Sequence, residues 1–103
     1  MHLSSTEKKR FRTIGHKLNP VVIIAQKGLT ENIKKEIERA LTNHELIKIK
    51  LITGKRENKK TITELICEEF EAECIHAIGH VILLYRASPE ADPHLSNLSR
   101  KPS

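Results

Sequence analysis

The segment Ala25–Thr30 is the first place where the sequence could do chemistry. It follows an apolar run, precedes a helical pattern and contains Lys27 and Gly28. The start of a helix presents unpaired N–H groups and a partial positive charge, and a neighbouring lysine adds a mobile cation. Lys27 and the Gly28, Leu29 and Thr30 backbone could therefore hold a phosphate. A glycine that only permits a tight turn, beside a solvated lysine, would give the same pattern.

A second group of cations lies where a third helix should begin: Lys55, Arg56, Lys59 and Lys60. Lysines in a first turn oppose the helix dipole by about 0.3–1 kcal/mol per charge, which suggests a functional reason for them. An ion pair between Lys60 and Glu64 would explain part of the cluster without any function.

A third group surrounds the first predicted helix: Lys8, Lys9, Arg10, Arg12, His16 and Lys17. Either a charged surface helix or a face for a phosphate backbone would give this pattern. Lys48 and Lys50 on a later strand are open to the same two interpretations, because the topology decides whether they extend a common patch.

Catalytic and metal-binding patterns are missing from the sequence. It contains no GxSxG, HExxH, Walker-type or GxGxxG motif, and its six histidines are scattered. The acidic run 68–73 lacks the spacing of a calcium loop. Cys67 and Cys74 form no CxxC pattern, which indicates unpaired thiols, and no base adjoins either in the sequence, which argues against a nucleophile. We therefore expect no enzyme, no cofactor and no metal site.

Charge and composition favour a polyanionic partner. The 103 residues carry a formal charge of +5, and residues 1–60 hold 15 Lys and Arg against 6 Asp and Glu. Only Phe11, Phe70 and Tyr85 are aromatic, which argues against a base-stacking platform and favours structured RNA over single strands. No apolar stretch is long enough for a membrane span and no signal segment is recognisable, so we expect a cytoplasmic protein.

The hydrophobic pattern predicts one α+β domain over residues 1–86, in which a four-stranded mixed sheet carries three helices in the order α-β-α-β-α-β-β. We expect helices near 4–18, where Ser4 and Glu7 form a capping-box pattern, near 30–43, where Thr30 can cap the start, and near 57–70. We expect strands near 20–25, 46–52, 74–78 and 81–86. The strand 46–52 alternates, with an apolar face toward the core and a solvated face that carries Lys48 and Lys50. The unbroken apolar run 20–25 predicts a central strand buried on both faces, and Gly79 predicts a II′ hairpin turn. The third helix should bury Ile62, Leu65, Ile66 and Phe70. The tail 87–103 is predicted to be disordered.

The chain resembles the YhbY-type CRM domain family over residues 2–86. The resemblance rests on these segments: Leu3-Ser4, Leu18–Val22, Gly28–Glu31, His44–Lys48, Arg56-Glu57 and Ile78-Gly79 through Leu84–Arg86. It implies a fold similar to the C-terminal domain of translation initiation factor 3, and binding to RNA of the precursor large ribosomal subunit. The family's GxxG loop, likened to that of KH domains, falls on Ala25–Gly28, where Ala25 replaces the first glycine.

These expectations combine into one hypothesis, a monomer that contacts phosphates of structured ribosomal RNA. The proposed contacts are Lys27, Gly28, Leu29, Thr30, Lys55, Arg56, Lys59 and Lys60, with Lys8, Lys9, Arg12 and Arg86 as extensions. The alternative is a protein-interaction module that docks on an acidic ribosomal or assembly-factor surface.

Overall fold

The computed structural model describes residues 4–25, 27–52 and 56–88, with the backbone alone at 56–58. Within these ranges the chain forms three helices and four strands in the predicted order, which confirms the predicted α+β fold. The elements are α1 (Ser5–Gly15), β1 (Val22–Ile24), α2 (Glu31–His44), β2 (Leu46–Leu51), α3 (Arg56–Phe70), β3 (Glu73–Ile78) and β4 (Val81–Tyr85). The sheet has the order β1-β2-β4-β3, in which β1 and β2 are parallel and the other pairs antiparallel.

The start of α1 is fixed by the capping box that Ser4 and Glu7 predict. The Ser4 hydroxyl accepts from the Glu7 N–H at 3.1 Å, and the Glu7 carboxylate accepts from the Ser4 N–H at 3.3 Å. The helix ends at Gly15 rather than at Leu18, because its last turn tightens: the Lys17 and Leu18 N–H groups bond to carbonyls only three residues back. Pro20 prevents any continuation.

The sheet carries a separate apolar cluster on each face. On one face, α2 and α3 cover Val22 and Ile24 of β1, Ile47, Ile49 and Leu51 of β2, and Ile82 and Leu84 of β4. On the other face, α1 places Phe11 against Leu46, Ile75 and Leu83. The Phe11 and Tyr85 rings lie 4.8 Å apart. The single helix α1 covers only one end of its face.

The prediction that β1 is a central strand buried on both faces is wrong. In the described sheet β1 is an edge strand, and Val21 and Ile23 are 47% and 52% exposed. Successive side chains of a strand point to opposite faces, and only the face toward α2 and α3 is covered at this end of the sheet. The unbroken apolar run therefore predicted the strand correctly, but it did not predict that one face of the strand is exposed.

Two smaller expectations about burial also need correction. Leu65 is 50% exposed, because it lies one position off the i, i+4, i+8 stripe that Ile62, Ile66 and Phe70 turn toward the sheet. Leu46 lies on the face of β2 that we expected to be solvated, yet it is fully buried under α1.

The hairpin turn at Gly79 agrees with the sequence, whereas contacts with the domain continue past Arg86. Gly79 has a φ of +57° while His80 does not have a positive φ, as a II′ hairpin requires. The chain remains in contact with the domain through Ser88, whose hydroxyl donates to the Thr42 carbonyl at 2.8 Å. The remainder of the predicted disordered tail, residues 89–103, lies outside the described residues, as does the predicted loop 53–55.

Candidate nucleic-acid interface

The connection between β1 and α2 presents Lys27 to solvent on a defined turn. The Gly28 N–H donates to the Ala25 carbonyl at 2.9 Å, and Gly28 has a φ of +71°. A Cβ added at Gly28 would meet nothing within 4 Å, so the backbone angle rather than crowding requires the glycine. Leu29 packs against the main core and anchors the segment. Lys27 is thereby exposed beside an anchored turn.

The cap at the start of α2 bonds one of the first N–H groups of the helix. The Thr30 hydroxyl accepts from the Ile33 N–H at 3.2 Å, and the Thr30 carbonyl accepts from the Lys34 N–H at 2.9 Å. The Glu31 carboxylate stands in the first turn and already complements the helix dipole. The Gly28 and Thr30 N–H groups donate to the Ala25 and Gly28 carbonyls, so Lys27 is the charged group that can attract an anion here.

The first and second predicted cation groups begin at the same edge of the sheet. Because β1 and β2 are parallel, the segments that follow them leave the sheet side by side, and the Ile52 N–H donates to the Ile24 carbonyl at 2.7 Å. A groove at this edge is lined by Ile23, Ala25, Lys27, Thr30, Ile33 and Ile52. In open sheets the carboxyl ends of parallel strands are a common place for ligands.

The structure describes the side chains of only two residues of the second cation group. Four residues separate the end of β2 from the start of α3 at Arg56, which places the first turn of α3 near this edge. Lys60 is exposed and Lys59 is half-buried. Lys55 and the Arg56 side chain lie outside the described residues. Their inclusion in the interface stays a prediction.

The third cation group forms a stripe along α1, on the other face of the sheet. A shallow groove on the outer side of this helix is lined by Lys9, Arg12, Thr13, His16 and Lys17. Their spacing of three, four, seven and eight residues places them on one side of a helix. Lys9 and Arg12 are exposed, whereas Lys8 is half-buried at the margin.

Arg86 does not belong with these exposed cations. Its guanidinium donates to both carboxylate oxygens of Glu38, at 3.0 and 2.7 Å, and to the Thr42 hydroxyl and the Phe70 carbonyl. The hydrogen bond from Arg86 lowers the pKa of Glu38 against a smaller opposing effect of burial. Since its donors are taken by α2 and α3, we assign Arg86 a structural role and remove it from the proposed RNA contacts.

The end of the sheet that α1 leaves uncovered could not be foreseen from the sequence. On this part of the α1 face, which we call the open face, the structure places Val21, Ile23, Lys48, Lys50, Ile78 and Val81. Lys48 and Lys50 therefore do join a common surface. The register places Lys50 between the exposed Ile23 and the half-buried Val81. Lys48 is half-buried and lies between the exposed Val21 and the buried Leu83.

The opposite end of the same face is acidic. Tyr85 lies near the carboxylates of Glu45, Glu7 and Glu73, and burial together with these charges raises the pKa of its hydroxyl. The helix α1 thus crosses the sheet between an acidic end and the open face with its two lysines. An anion would approach from the open end.

The described residues offer little for catalysis or metal binding. Among them, no group of three or more His, Cys, Asp or Glu is placed to hold a metal ion. Burial raises the pKa of Cys67 to about 11 and also raises that of Cys74, so both thiols are protonated at neutral pH. None of the described helices is long and apolar enough to cross a membrane.

Comparison with known proteins identifies the family. The model of the CRS1/YhbY (CRM) domain matches residues 3–86. The chain belongs to this family. It is 42% identical to a probable RNA-binding protein of Pseudomonas aeruginosa over 100 residues, covering 97% of this chain and 96% of that one. It is 45% identical to an RNA-binding protein of Haemophilus influenzae over 89 residues, covering 86% and 90%.

A solved structure supports the same assignment. The CRM domain described here matches the solution structure of a Staphylococcus aureus protein, described as a candidate RNA-binding protein, with a TM-score of 0.75 and 32% identity. The match covers 86% of this chain and 93% of that one.

In this CRM domain, alanine fits the first position of the expected GxxG loop without strain. Among the non-glycine residues that the structure describes, only Glu45 and Glu71 have a positive φ, so Ala25 has an ordinary backbone conformation. Gly28, at the last position of the loop, does need its left-handed conformation. Gln26 lies outside the described residues.

Proposed function

We propose that this CRM domain is a cytoplasmic, monomeric RNA-binding protein that contacts structured ribosomal RNA of the precursor large subunit through phosphates. The observation that carries the proposal is the position of Lys27, exposed on an anchored turn where the carboxyl ends of β1 and β2 meet. The names of the relatives in Pseudomonas and Haemophilus support RNA as the ligand. The large-subunit target rests on the family resemblance.

Phosphate contact is favoured over base reading at this edge. Lys27 is a compact charge on a flexible stem, which suits contact with phosphate and lacks the rigid geometry of an arginine fork. The exposed side of α1 adds Lys9, Arg12 and Lys17, which can neutralise further phosphates of a folded RNA. A surface of this kind binds by charge and shape, so it favours structured RNA.

Cosedimentation with ribosomal particles tests the target. The tagged protein should sediment with precursor large-subunit particles at low salt and be released when the salt concentration rises. Digestion of the RNA should abolish the association. Persistent association with a protein partner after complete digestion would favour the alternative, a module that docks on an assembly-factor or ribosomal protein surface.

A further inference from the structure

The open face contains a continuous row of one residue from each strand. The register pairs Ile23 with Lys50, Lys50 with Val81, and Val81 with Ile78. Strands lie about 4.8 Å apart, so the row spans roughly 14 Å. Ile23 is 52% and Ile78 66% exposed, and Lys50 is also exposed.

This row is not explained by packing within the described chain. Large aliphatic side chains gathered on one exposed surface mark an interaction site more often than isolated ones do. Val21, in the neighbouring row, is also exposed, and its N–H donates to the Lys48 carbonyl, so a second lysine adjoins the first row. The described residues of the two rows contain lysines but no carboxylate.

The chemistry of the row selects its occupant. A protein partner with an apolar face would bury the Lys50 ammonium between Ile23 and Val81 without a counter-charge, which is unfavourable. A nucleotide matches both the aliphatic side chains and the lysine, since its base has an apolar face and its phosphate is an anion. An RNA duplex offers phosphates and hydroxyls but keeps its base faces stacked, so it could not cover the aliphatic side chains.

We propose that the open face receives unpaired nucleotides of the bound RNA, with base faces on Ile23, Val81 and Ile78 and phosphates at Lys48 and Lys50. This inference rests on the proposed function and specifies which part of the RNA is recognised. Ile23 belongs both to the row and to the groove that contains Lys27, so the two surfaces are continuous. An RNA strand whose phosphates contact Lys27 at the edge could thus continue onto the open face, where its unpaired bases would lie.

The test compares two RNA probes and two kinds of variant. The probes are a stem-loop with an unpaired loop and a fully paired duplex of equal length. The double variant Ile23→Ser/Ile78→Ser removes aliphatic contacts without changing charge. The matched control is Leu65→Ser, which alters a side chain that is 50% exposed on α3. Thermal unfolding confirms that each variant is folded.

The double variant should bind the stem-loop about five- to tenfold more weakly, a smaller loss than for an aromatic platform. Its affinity for the duplex should change less than twofold, and the slope of log K against log salt should stay the same, because no phosphate contact is lost. Lys50→Gln should instead reduce that slope by about 0.7 on the unpaired loop. Leu65→Ser should leave both affinities unchanged.

The outcomes separate this inference from the proposed function. Wild-type affinity of the double variant for the stem-loop, or an equal loss on both probes, would overturn the inference alone. Unchanged affinity for the stem-loop would instead favour a protein partner on the open face. If the wild-type protein bound neither probe, the proposed function would be overturned as well.

Discussion

The Ile52 N–H donates to the Ile24 carbonyl at 2.7 Å, and this bond holds together the two segments that leave the parallel strands β1 and β2. One segment carries Lys27, and the other leads to the start of α3 at Arg56. Residues separated by nearly thirty positions in the chain therefore approach the same edge of the sheet. The fold, rather than the sequence spacing, creates the proposed interface.

The turn at Gly28 depends on its left-handed conformation. Gly28→Ala should lower the free energy of unfolding by about 1 kcal/mol, because a Cβ is strained at a φ of +71° even where space is open. Gly28→Asn should cost less, since asparagine tolerates this region better. Urea unfolding of both variants checks the order, and equal stability of Gly28→Ala and wild type would refute the conformational role.

Gly15 allows α1 to lie close to the sheet. A Cβ added there would lie 2.5 Å from one Leu83 methyl carbon and 2.7 Å from the other, and Leu83 is only 5% exposed. Gly15→Ala should therefore destabilise the protein by about 1 kcal/mol, since overpacking exceeds the gain in helix propensity. Leu83→Ala removes both δ-methyl carbons and the Cγ that the added Cβ would meet, so the double-mutant cycle should show a favourable coupling. Additive effects would contradict the proposed clash.

The pair of Arg86 and Glu38 should make stability depend on acidity. The pKa of Glu38 is lowered below its ordinary value of 4.5, mainly by the hydrogen bond from Arg86. The pair's contribution to the free energy of unfolding is therefore fully present above pH 4.5. This contribution is lost as the pH falls through the lowered pKa of Glu38 in the folded state. Arg86→Met should lower the free energy of unfolding by about 2 kcal/mol at neutral pH and flatten this acid dependence.

Urea unfolding between pH 3 and pH 7, approximately the range around the ordinary carboxylate pKa, measures both effects. RNA affinity provides the control, because we assign Arg86 a structural role. A folded Arg86→Met protein should bind RNA normally under conditions where it is stable. A reduced salt dependence of binding in that variant would return Arg86 to the interface.

The cysteines should behave as protected thiols. Burial raises the pKa of Cys67 from 9.0 to about 11, so alkylation at neutral pH should be slow in the folded protein and fast in urea. Because the unfolded chain loses this proton more readily, the contribution of Cys67 to stability should be lost as the pH rises from about 9 toward 11. Rapid alkylation of the native protein would contradict its burial.

The elements could be predicted from local signals, whereas their burial depended on the rest of the fold. The capping box of Ser4 and Glu7 and the cap at Thr30 marked two helix starts correctly. The apolar run around Ile23 indicated a strand, but an edge strand and a central strand cannot be told apart by such a run. What covers a face is decided by distant helices.

The candidate site also combines residues that local signals predict with residues whose role depends on distant parts of the chain. Lys27 could be singled out because a glycine turn and a helix cap flank it in the sequence. Arg86 was placed in the interface because nothing local revealed its pairing with Glu38, which lies 48 positions away. The open face was missed for a related reason, since the alternation of β2 located its lysines but not the strands beside them.

The salt dependence of RNA binding tests the central claim most directly. Lys27→Ala and Arg56→Ala are each measured on a precursor 23S RNA fragment, with Arg39→Ala as the charge-matched control. Arg39 is exposed on α2, about 12 Å along the helix from its start. Each edge variant should weaken binding and reduce the slope of log K against log salt by about 0.7–0.9, while Arg39→Ala leaves the slope unchanged. Unchanged slopes in both edge variants would contradict a phosphate-binding surface at this edge of the sheet.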